Sequence, residues 1–143
     1  MIIILNPSPM DDELKKMDFS AISLLILNEI EGEQISGYRE PEKILDFFAG
    51  QYPGMEVVLT LGEQGAFFQK DGIKTHQNAL RVKAVDTTAA GDTFTGFFVK
   101  EYYECGNAKA ALDTATKAAA IAVTRMGAAP SIPHMREVIQ LSE

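Results

Sequence analysis

Three short apolar runs constrain the fold of this chain more than any other feature of its sequence. They cover residues 2–5, 22–27 and 57–61, and each has the length of a strand. An apolar residue at nearly every position is the pattern of a strand buried on both faces of a parallel sheet. Helical stretches begin near Glu29 and Pro41, between the second and third runs, and Gly37 is expected to end the first of them. Strands that alternate with helices predict an α/β fold, with a mostly parallel sheet and helices on both faces in a three-layer arrangement.

The rest of the pattern adds a hairpin and further helices. The pair Asp71-Gly72, between two strand-like segments, is typical of a hairpin turn. A long helix is expected to end near Cys105, and a second one, rich in alanine at helical spacing, to begin after Asn107. Two short helices are expected over residues 12–17 and 135–141. A length of 143 residues fits one domain, and we interpret residues 1–143 as a single domain.

Charge and composition exclude some classes of partner. The chain carries a formal net charge of −7 and one cysteine. An acidic chain is poorly suited to nucleic acid or to an anionic membrane, so neither is expected as a partner. Because a single cysteine cannot form an internal disulfide, we expect a reducing compartment and a cytoplasmic protein. No apolar run has the length of a membrane span, and the first residues lack the basic flank and cleavage site of a signal peptide.

A run of small residues from Val85 to Gly96 leads from a strand-like end at residues 82–85 into an apolar helix that begins near Phe94. Several backbone N–H groups at the start of such a helix have no partner. Together with the helix dipole they form a site for phosphate or another anion. Asp92 lies at the mouth of this site, where its carboxylate can cap the helix or accept a proton. The residues alone leave both roles open.

Polar side chains lie at or just after the carboxyl ends of the predicted strands. They include Asn6, Asn28, Thr60 and Asp86. In an open α/β sheet this edge binds the ligand. We therefore expect these side chains to lie at one edge of the sheet.

Five segments in collinear order resemble the motifs of the PfkB family of ribokinase-type sugar kinases. They are Asn6-Pro7-Ser8-Pro9, Asn28-Glu29-Ile30-Glu31, Thr60-Leu61-Gly62-Glu63-Gln64-Gly65, Asp86-Thr87-Thr88-Ala89-Ala90-Gly91-Asp92-Thr93-Phe94, and residues 118–133. The resemblance implies a ribokinase-like α/β/α fold and covers essentially the whole chain. Family members are about twice as long, so the chain resembles their C-terminal half, and their N-terminal half and β lid have no counterpart in it.

The resemblance implies a catalytic centre in the small-residue loop. Asp92 would be the general base, taking the proton from a primary sugar hydroxyl as that oxygen attacks the γ-phosphate of ATP. The backbone N–H groups of Ala89, Ala90, Gly91 and Asp92 would hold the charge on the transferred phosphoryl group. The alternative is that Asp92 only caps the helix.

The resemblance also implies a site for ATP and Mg²⁺. Asn28 and Glu31 resemble the family's Asn-x-x-Glu motif, which organises Mg²⁺ and phosphate through water. The alternative for this pair is a helix-capping asparagine and a solvated glutamate. Thr60, Gly62 and Gly65 resemble the loop that carries the phosphates and ribose of ATP.

Thr116 falls where family members place a residue beside the adenine of ATP. A further set resembles the monovalent-cation site of ribokinases, which would bind K⁺: Asp86, the Thr88 carbonyl, Ala122, Arg125, Gly127 and Ser131. The alternative is that Asp86 and Ser131 are ordinary turn residues.

Three functions stay open on the sequence. The first is an ATP- and Mg²⁺-dependent carbohydrate kinase that phosphorylates a primary hydroxyl of a small sugar such as ribose. The second is a truncated nucleotide-binding remnant without kinase activity. The third is a self-associating α/β module. For this chain we expect a homodimer through an exposed sheet edge.

Overall fold

The computed structural model describes residues 2–7, 13, 16, 18–83, 90–124 and 138 of the chain. The strands are β1 (Ile4–Leu5), β2 (Leu24–Asn28), β3 (Glu56–Thr60), β4 (Ala66–Lys70) and β5 (Ile73–Gln77). The helices are α1 (Glu29–Ser36), α2 (Pro41–Gln51), α3 (Ala90–Cys105) and α4 (Ala108–Val123), with 3₁₀ turns at Phe19–Ala21 and Gly62–Gln64. The chain divides into two compact units, Met1–Gly62 with Ala66–His76, and Glu63–Gly65 with Gln77–Glu143. A single domain over residues 1–143 stays a prediction.

The five strands form one mixed sheet in the order β1-β2-β3-β4-β5. Strands β1, β2 and β3 run parallel, and β4 runs antiparallel to β3. The turn between β4 and β5 consists of Asp71 and Gly72, whose φ angles are 53° and 77°. Positive φ at both positions is what a two-residue hairpin turn of this type requires. The predicted α/β class and the hairpin are confirmed, and the parallel part of the sheet is its first three strands.

The core of the first unit lies between the parallel strands and α2. Leu25 of β2 and Leu59 of β3 belong to one buried cluster with Ile44 and Phe48 of α2. Ile26, which points to the other face of the sheet, is buried as well. Burial on both faces is the reason why β2 and β3 are apolar at almost every position.

Helix α1 packs close to this core because it contains a glycine. A Cβ atom built on Gly32 would lie 3.0 Å from Ile44 Cγ2 and 3.3 Å from Leu59 Cδ1. The helix ends where predicted: Gly37 has φ 83° and its N–H donates to the Glu33 carbonyl. A left-handed glycine in this position is a common helix end.

The first apolar run is not the buried strand that its composition predicts. Only Ile4 and Leu5 form strand β1, and Ile2, Ile3 and Ile4 are 61%, 37% and 39% exposed. The reason is topological, since β1 is the outermost of the described strands, and β2 is its one neighbour among them. Burial of a strand depends on its neighbours, and the sequence of the strand does not specify them. The exposed sheet edge that was expected is present at β1.

The second unit contains a pair of helices, α3 and α4, which are joined at Gly106-Asn107 and pack against each other. The side chain of Asn107 caps α4, because its Oδ1 accepts a hydrogen bond from the Ala110 N–H at 3.1 Å. The predicted alanine pattern holds in part: Ala115 is fully buried, whereas Ala119 is only half-buried. Helix α3 begins at Ala90, earlier than the start predicted near Phe94.

Other predicted elements fall partly or wholly outside the described residues. The short helices expected over residues 12–17 and 135–141 are described only at residues 13, 16 and 138. Of the predicted strand end at residues 82–85, Val82 and Lys83 are described, and both are exposed and belong to no strand. Among the described helices, none combines the length and the apolar character needed to cross a membrane.

Candidate active site

The carboxyl ends of β2 and β3 bring two predicted site residues together. Asn28 and Thr60 are direct partners in the parallel register, so their side chains lie at the same edge of the sheet. The Thr60 hydroxyl donates to the Leu27 carbonyl at 3.4 Å, which links the two strand ends. The expectation that polar residues after the strands converge is confirmed for this pair. Asp86 lies outside the described residues.

Asn28 and Glu31 form a reciprocal cap at the start of α1. Asn28 Oδ1 accepts from the Glu31 N–H at 2.8 Å, and Glu31 Oε2 accepts from the Asn28 N–H at 3.2 Å. This capping box satisfies two N–H groups that a helix start leaves without partners. Glu31 is 5% exposed, so the alternative of a solvated glutamate is wrong, although the alternative of a capping asparagine is right. Its carboxylate is therefore held in one place.

The two glycines of the predicted phosphate loop differ in their surroundings. Gly62, in the 3₁₀ turn after β3, has φ 58° and open space where a Cβ would be. Gly65 has φ 91°, and a Cβ there would lie 1.9 Å from the Gln77 carbonyl oxygen. Contact with the chain's own backbone is thus sufficient reason for glycine at position 65. At Gly62 the backbone is open to a ligand.

The start of α3 presents the predicted catalytic residues. Ala90, Gly91 and Asp92 form the first turn of the helix, and the first N–H groups of a helix have no intrahelical partner. Gly91 and Asp92 are exposed, and open space lies where a Cβ on Gly91 would be. Because Asp92 is already inside the helix, it is not the N-cap residue. Its carboxylate makes no hydrogen bond or ion pair with any residue that the structure describes. Ala89 lies outside the described residues.

Two buried threonine hydroxyls in the second unit have no hydrogen-bond partner among the residues that the structure describes. They are Oγ1 of Thr93 on α3 and Oγ1 of Thr116 on α4. Thr116, the residue predicted beside adenine, is 7% exposed and belongs to the buried side of its helix. Thr93 was not singled out by sequence reasoning, because a threonine next to an apolar run carries no signal of its burial.

Most of the predicted K⁺ site lies outside the described residues. Of its members only Ala122 is described, and it is buried in the last turn of α4. The others are Asp86, Thr88, Arg125, Gly127 and Ser131. Within the described ranges, no group of three or more histidine, cysteine, aspartate or glutamate side chains could hold a metal ion.

Comparison with known proteins assigns the family. A model of the pfkB family of carbohydrate kinases matches residues 1–135. The chain is 36% identical to the ribokinase of Staphylococcus aureus over 146 residues, which is 96% of this chain and 47% of that protein. The chain therefore belongs to the PfkB family of carbohydrate kinases.

Solved structures agree with this assignment. The backbone is similar to that of ribokinase from Thermotoga maritima, with a TM-score of 0.84 and 37% identity over 99% of this chain and 49% of that one. It is also similar to Arabidopsis thaliana ribokinase complexed with ribose and ATP, with a TM-score of 0.84 and 29% identity over 99% of this chain and 47% of that one. The fold is ribokinase-like, and the chain spans about half the length of these relatives.

Proposed function

We propose that this chain supplies the ATP-binding and phosphoryl-transfer part of a ribokinase-like sugar kinase. The reaction would move the γ-phosphoryl group of ATP to a primary hydroxyl of a small sugar such as ribose. The observation that carries the proposal is Asp92, an exposed carboxylate without a partner among the described residues, in the first turn of α3. Family membership and the Arabidopsis relative with bound ribose and ATP support it.

In the proposed reaction Asp92 accepts the proton of the sugar hydroxyl as the hydroxyl oxygen attacks the γ-phosphorus. The new oxygen–phosphorus bond forms while the bond from phosphorus to the β–γ bridging oxygen breaks, which releases ADP. The N–H groups of Ala89, Ala90, Gly91 and Asp92 would stabilise the charge on the phosphoryl group in transfer. Fixed N–H groups suit this task because they need no rearrangement during the reaction.

The remaining predicted residues would bind ATP and its cations. Asn28 and Glu31 would organise Mg²⁺ through water, and the buried, hydrogen-bonded position of Glu31 supports a fixed geometry there. Gly62, with Thr60, would lie against the phosphates and ribose. The same proposal gives Gly65 and Thr116 a role in binding ATP. It also includes K⁺ binding by residues 86, 88, 122, 125, 127 and 131.

A second candidate is a nucleotide-binding chain without turnover. The chain spans 47% of the S. aureus ribokinase, so the activity of that whole protein is not assigned to it. Both candidates predict ATP binding, and only the first predicts sugar-dependent release of ADP. We further propose a homodimer through the β1 edge, a single domain and a cytoplasmic location.

The test has two steps. Calorimetric titration of the chain with Mg²⁺·ATP should show saturable binding. A lack of binding at millimolar ATP contradicts both candidates. A coupled assay of ADP release with ribose and K⁺ then separates them. Asp92→Asn should retain ATP binding and lower turnover by roughly 10²- to 10⁴-fold, the range for loss of a general base. The matched control is Glu42→Gln, an exposed carboxylate in the first turn of α2. Turnover that survives in Asp92→Asn excludes Asp92 as the base.

A further inference from the structure

The segment of residues 78–83 begins beside one part of the proposed nucleotide site and leads along the chain to another. It follows β5 and belongs to no helix or strand. A Cβ atom built on Gly65, in the predicted phosphate loop, would lie 2.9 Å from the backbone N of Ala79. Further along the chain, α3 begins at Ala90, where the proposed anion site lies. Gly65, the segment and α3 all belong to the second unit.

Two cations, Arg81 and Lys83, lie on this segment. Both are exposed, and neither makes a hydrogen bond or ion pair with any residue that the structure describes. Other described cations are each in an ion pair with a carboxylate, namely Arg39, Lys43, Lys70, Lys74 and Lys117. Because no described carboxylate neutralises them directly, the charges of Arg81 and Lys83 are available to an anion from solution.

The length of the chain bounds the distance of these charges from the phosphate loop. Two residues span at most about 7 Å, so the Cα atom of Arg81 lies within about 7 Å of the Ala79 Cα. Four residues place the Cα of Lys83 within about 14 Å of the same atom. The Debye length is about 10 Å at 0.1 M salt and about 30 Å at 0.01 M. At low ionic strength both charges therefore act on an anion at this loop without touching it.

An anionic nucleotide meets repulsion as it approaches this chain. The net charge is −7, and Glu63 of the phosphate loop and Asp92 of α3 are exposed carboxylates. Their charges oppose the approach of ATP. The N–H groups at the start of α3 attract an anion only over a short range, since the effect of a helix dipole falls off within the first turn. A side-chain cation carries a full charge and acts over a longer distance.

We propose that Arg81 and Lys83 attract the polyphosphate of ATP to the site and raise its affinity. This inference rests on the proposed function and assigns the two residues a long-range electrostatic role. The alternative is that both are solvated cations without effect on the nucleotide.

The test is calorimetric titration of the variants with ATP at two salt concentrations. Arg81→Gln and Lys83→Gln should each weaken ATP binding by about twofold at about 0.05 M salt, and the double variant by about fourfold. At about 0.5 M salt most of this loss should disappear, because the charges are screened. The loss should also be smaller for AMP, which carries fewer negative charges. A structural effect of the substitutions would instead lower both affinities equally, whatever the salt concentration.

Lys100→Gln is the matched control. Lys100 is an exposed cation of α3 without a partner among the described residues, and ten residues of helix separate it from Ala90 by roughly 15 Å. Its removal should weaken ATP binding by less than either of the other substitutions.

The outcomes separate this inference from the proposed function. Losses that do not depend on salt, losses that are equal for AMP and ATP, an equal loss in Lys100→Gln, or no loss in either variant overturn the inference. In each of these cases ATP still binds to the unaltered chain, so the proposed function stands. If the unaltered chain does not bind ATP, the proposed function fails and the inference fails with it.

Discussion

Asn28 and Glu31 each bind the other's backbone N–H, at 2.8 Å and 3.2 Å, across the first turn of α1. The same two residues are the ones proposed to organise Mg²⁺. Both roles need the two side chains in fixed positions, so the helix cap also orients the proposed metal site. A substitution that abolishes one role therefore does not by itself reveal the other.

Two substitutions at Glu31 separate these roles. Glutamine serves as well as glutamate at this position of a capping box, so Glu31→Gln should keep the free energy of unfolding within about 0.5 kcal/mol. Because the negative charge is lost, affinity for Mg²⁺·ATP should fall at the same time. Glu31→Ala also removes the capping box. It should therefore lower the free energy of unfolding by about 1 kcal/mol, in addition to the loss of ATP affinity. Urea unfolding and calorimetry measure the two quantities, and unchanged ATP affinity in Glu31→Gln removes Glu31 from the metal site.

Gly65 and Gly62 should differ in their response to alanine. At Gly65 a Cβ would lie 1.9 Å from the Gln77 carbonyl, and φ is 91°. Gly65→Ala should therefore destabilise the chain by more than about 2 kcal/mol, since strain and a backbone clash add. Gly62→Ala meets open space and should cost only about 1 kcal/mol. Urea unfolding of both variants checks this order, and equal costs would show that the Gln77 contact is unimportant.

The exposed edge at β1 predicts self-association that a charge should prevent. Ile2 is 61% exposed beside the outermost strand. Sedimentation of the chain should show a dimer, and Ile2→Lys should shift it to monomer, because lysine at a sheet edge opposes strand pairing. Ile73→Lys is the matched control, since Ile73 is 74% exposed on β5 at the other edge of the sheet. If Ile73→Lys dissociates the dimer and Ile2→Lys does not, the interface lies at β5 and not at β1.

Cys105 should react with alkylating reagents more slowly than exposed thiols usually do. Partial desolvation raises the pKa of the Cys105 thiol, and the hydrogen bond and charge of Glu101, with the charge of Glu104, raise it further. A raised pKa leaves less thiolate at a given pH, and the thiolate is the reactive form. The pH at which alkylation by iodoacetamide accelerates should thus be higher for Cys105 than for cysteine in an unstructured peptide. Glu101→Gln should speed the reaction at pH 8, and Asp113→Asn should not.

Sequence reasoning succeeded where the controlling interaction is local. The Asp71-Gly72 turn, the end of α1 at Gly37 and the capping role of Asn28 follow from the preferences of a few adjacent residues. The family itself was predicted from collinear motifs and is confirmed.

What sequence reasoning missed depends on neighbours that are distant in the chain. The apolar run that contains Ile3 predicts burial, yet its exposure is set by its place at the edge of the sheet. The burial of Gln69, which binds the Leu45 carbonyl 24 residues away, has no local signal. The backbone contact at Gly65 likewise requires the position of Gln77. A glycine motif in a sequence is compatible both with a backbone contact of this kind and with close approach of the backbone to a ligand.

The tight fit at Gly32 connects the core to the proposed ligand edge of the sheet. Gly32 follows Glu31 in α1, and a methyl group there would lie tight against the side chains of Ile44 and Leu59, at 3.0 Å and 3.3 Å. A larger residue there would push the helix outward and carry the Glu31 carboxylate with it. If Glu31 helps to bind Mg²⁺ as proposed, a Gly32 variant would thus resemble a Glu31 variant in its ATP affinity, although its side chain touches only hydrocarbon.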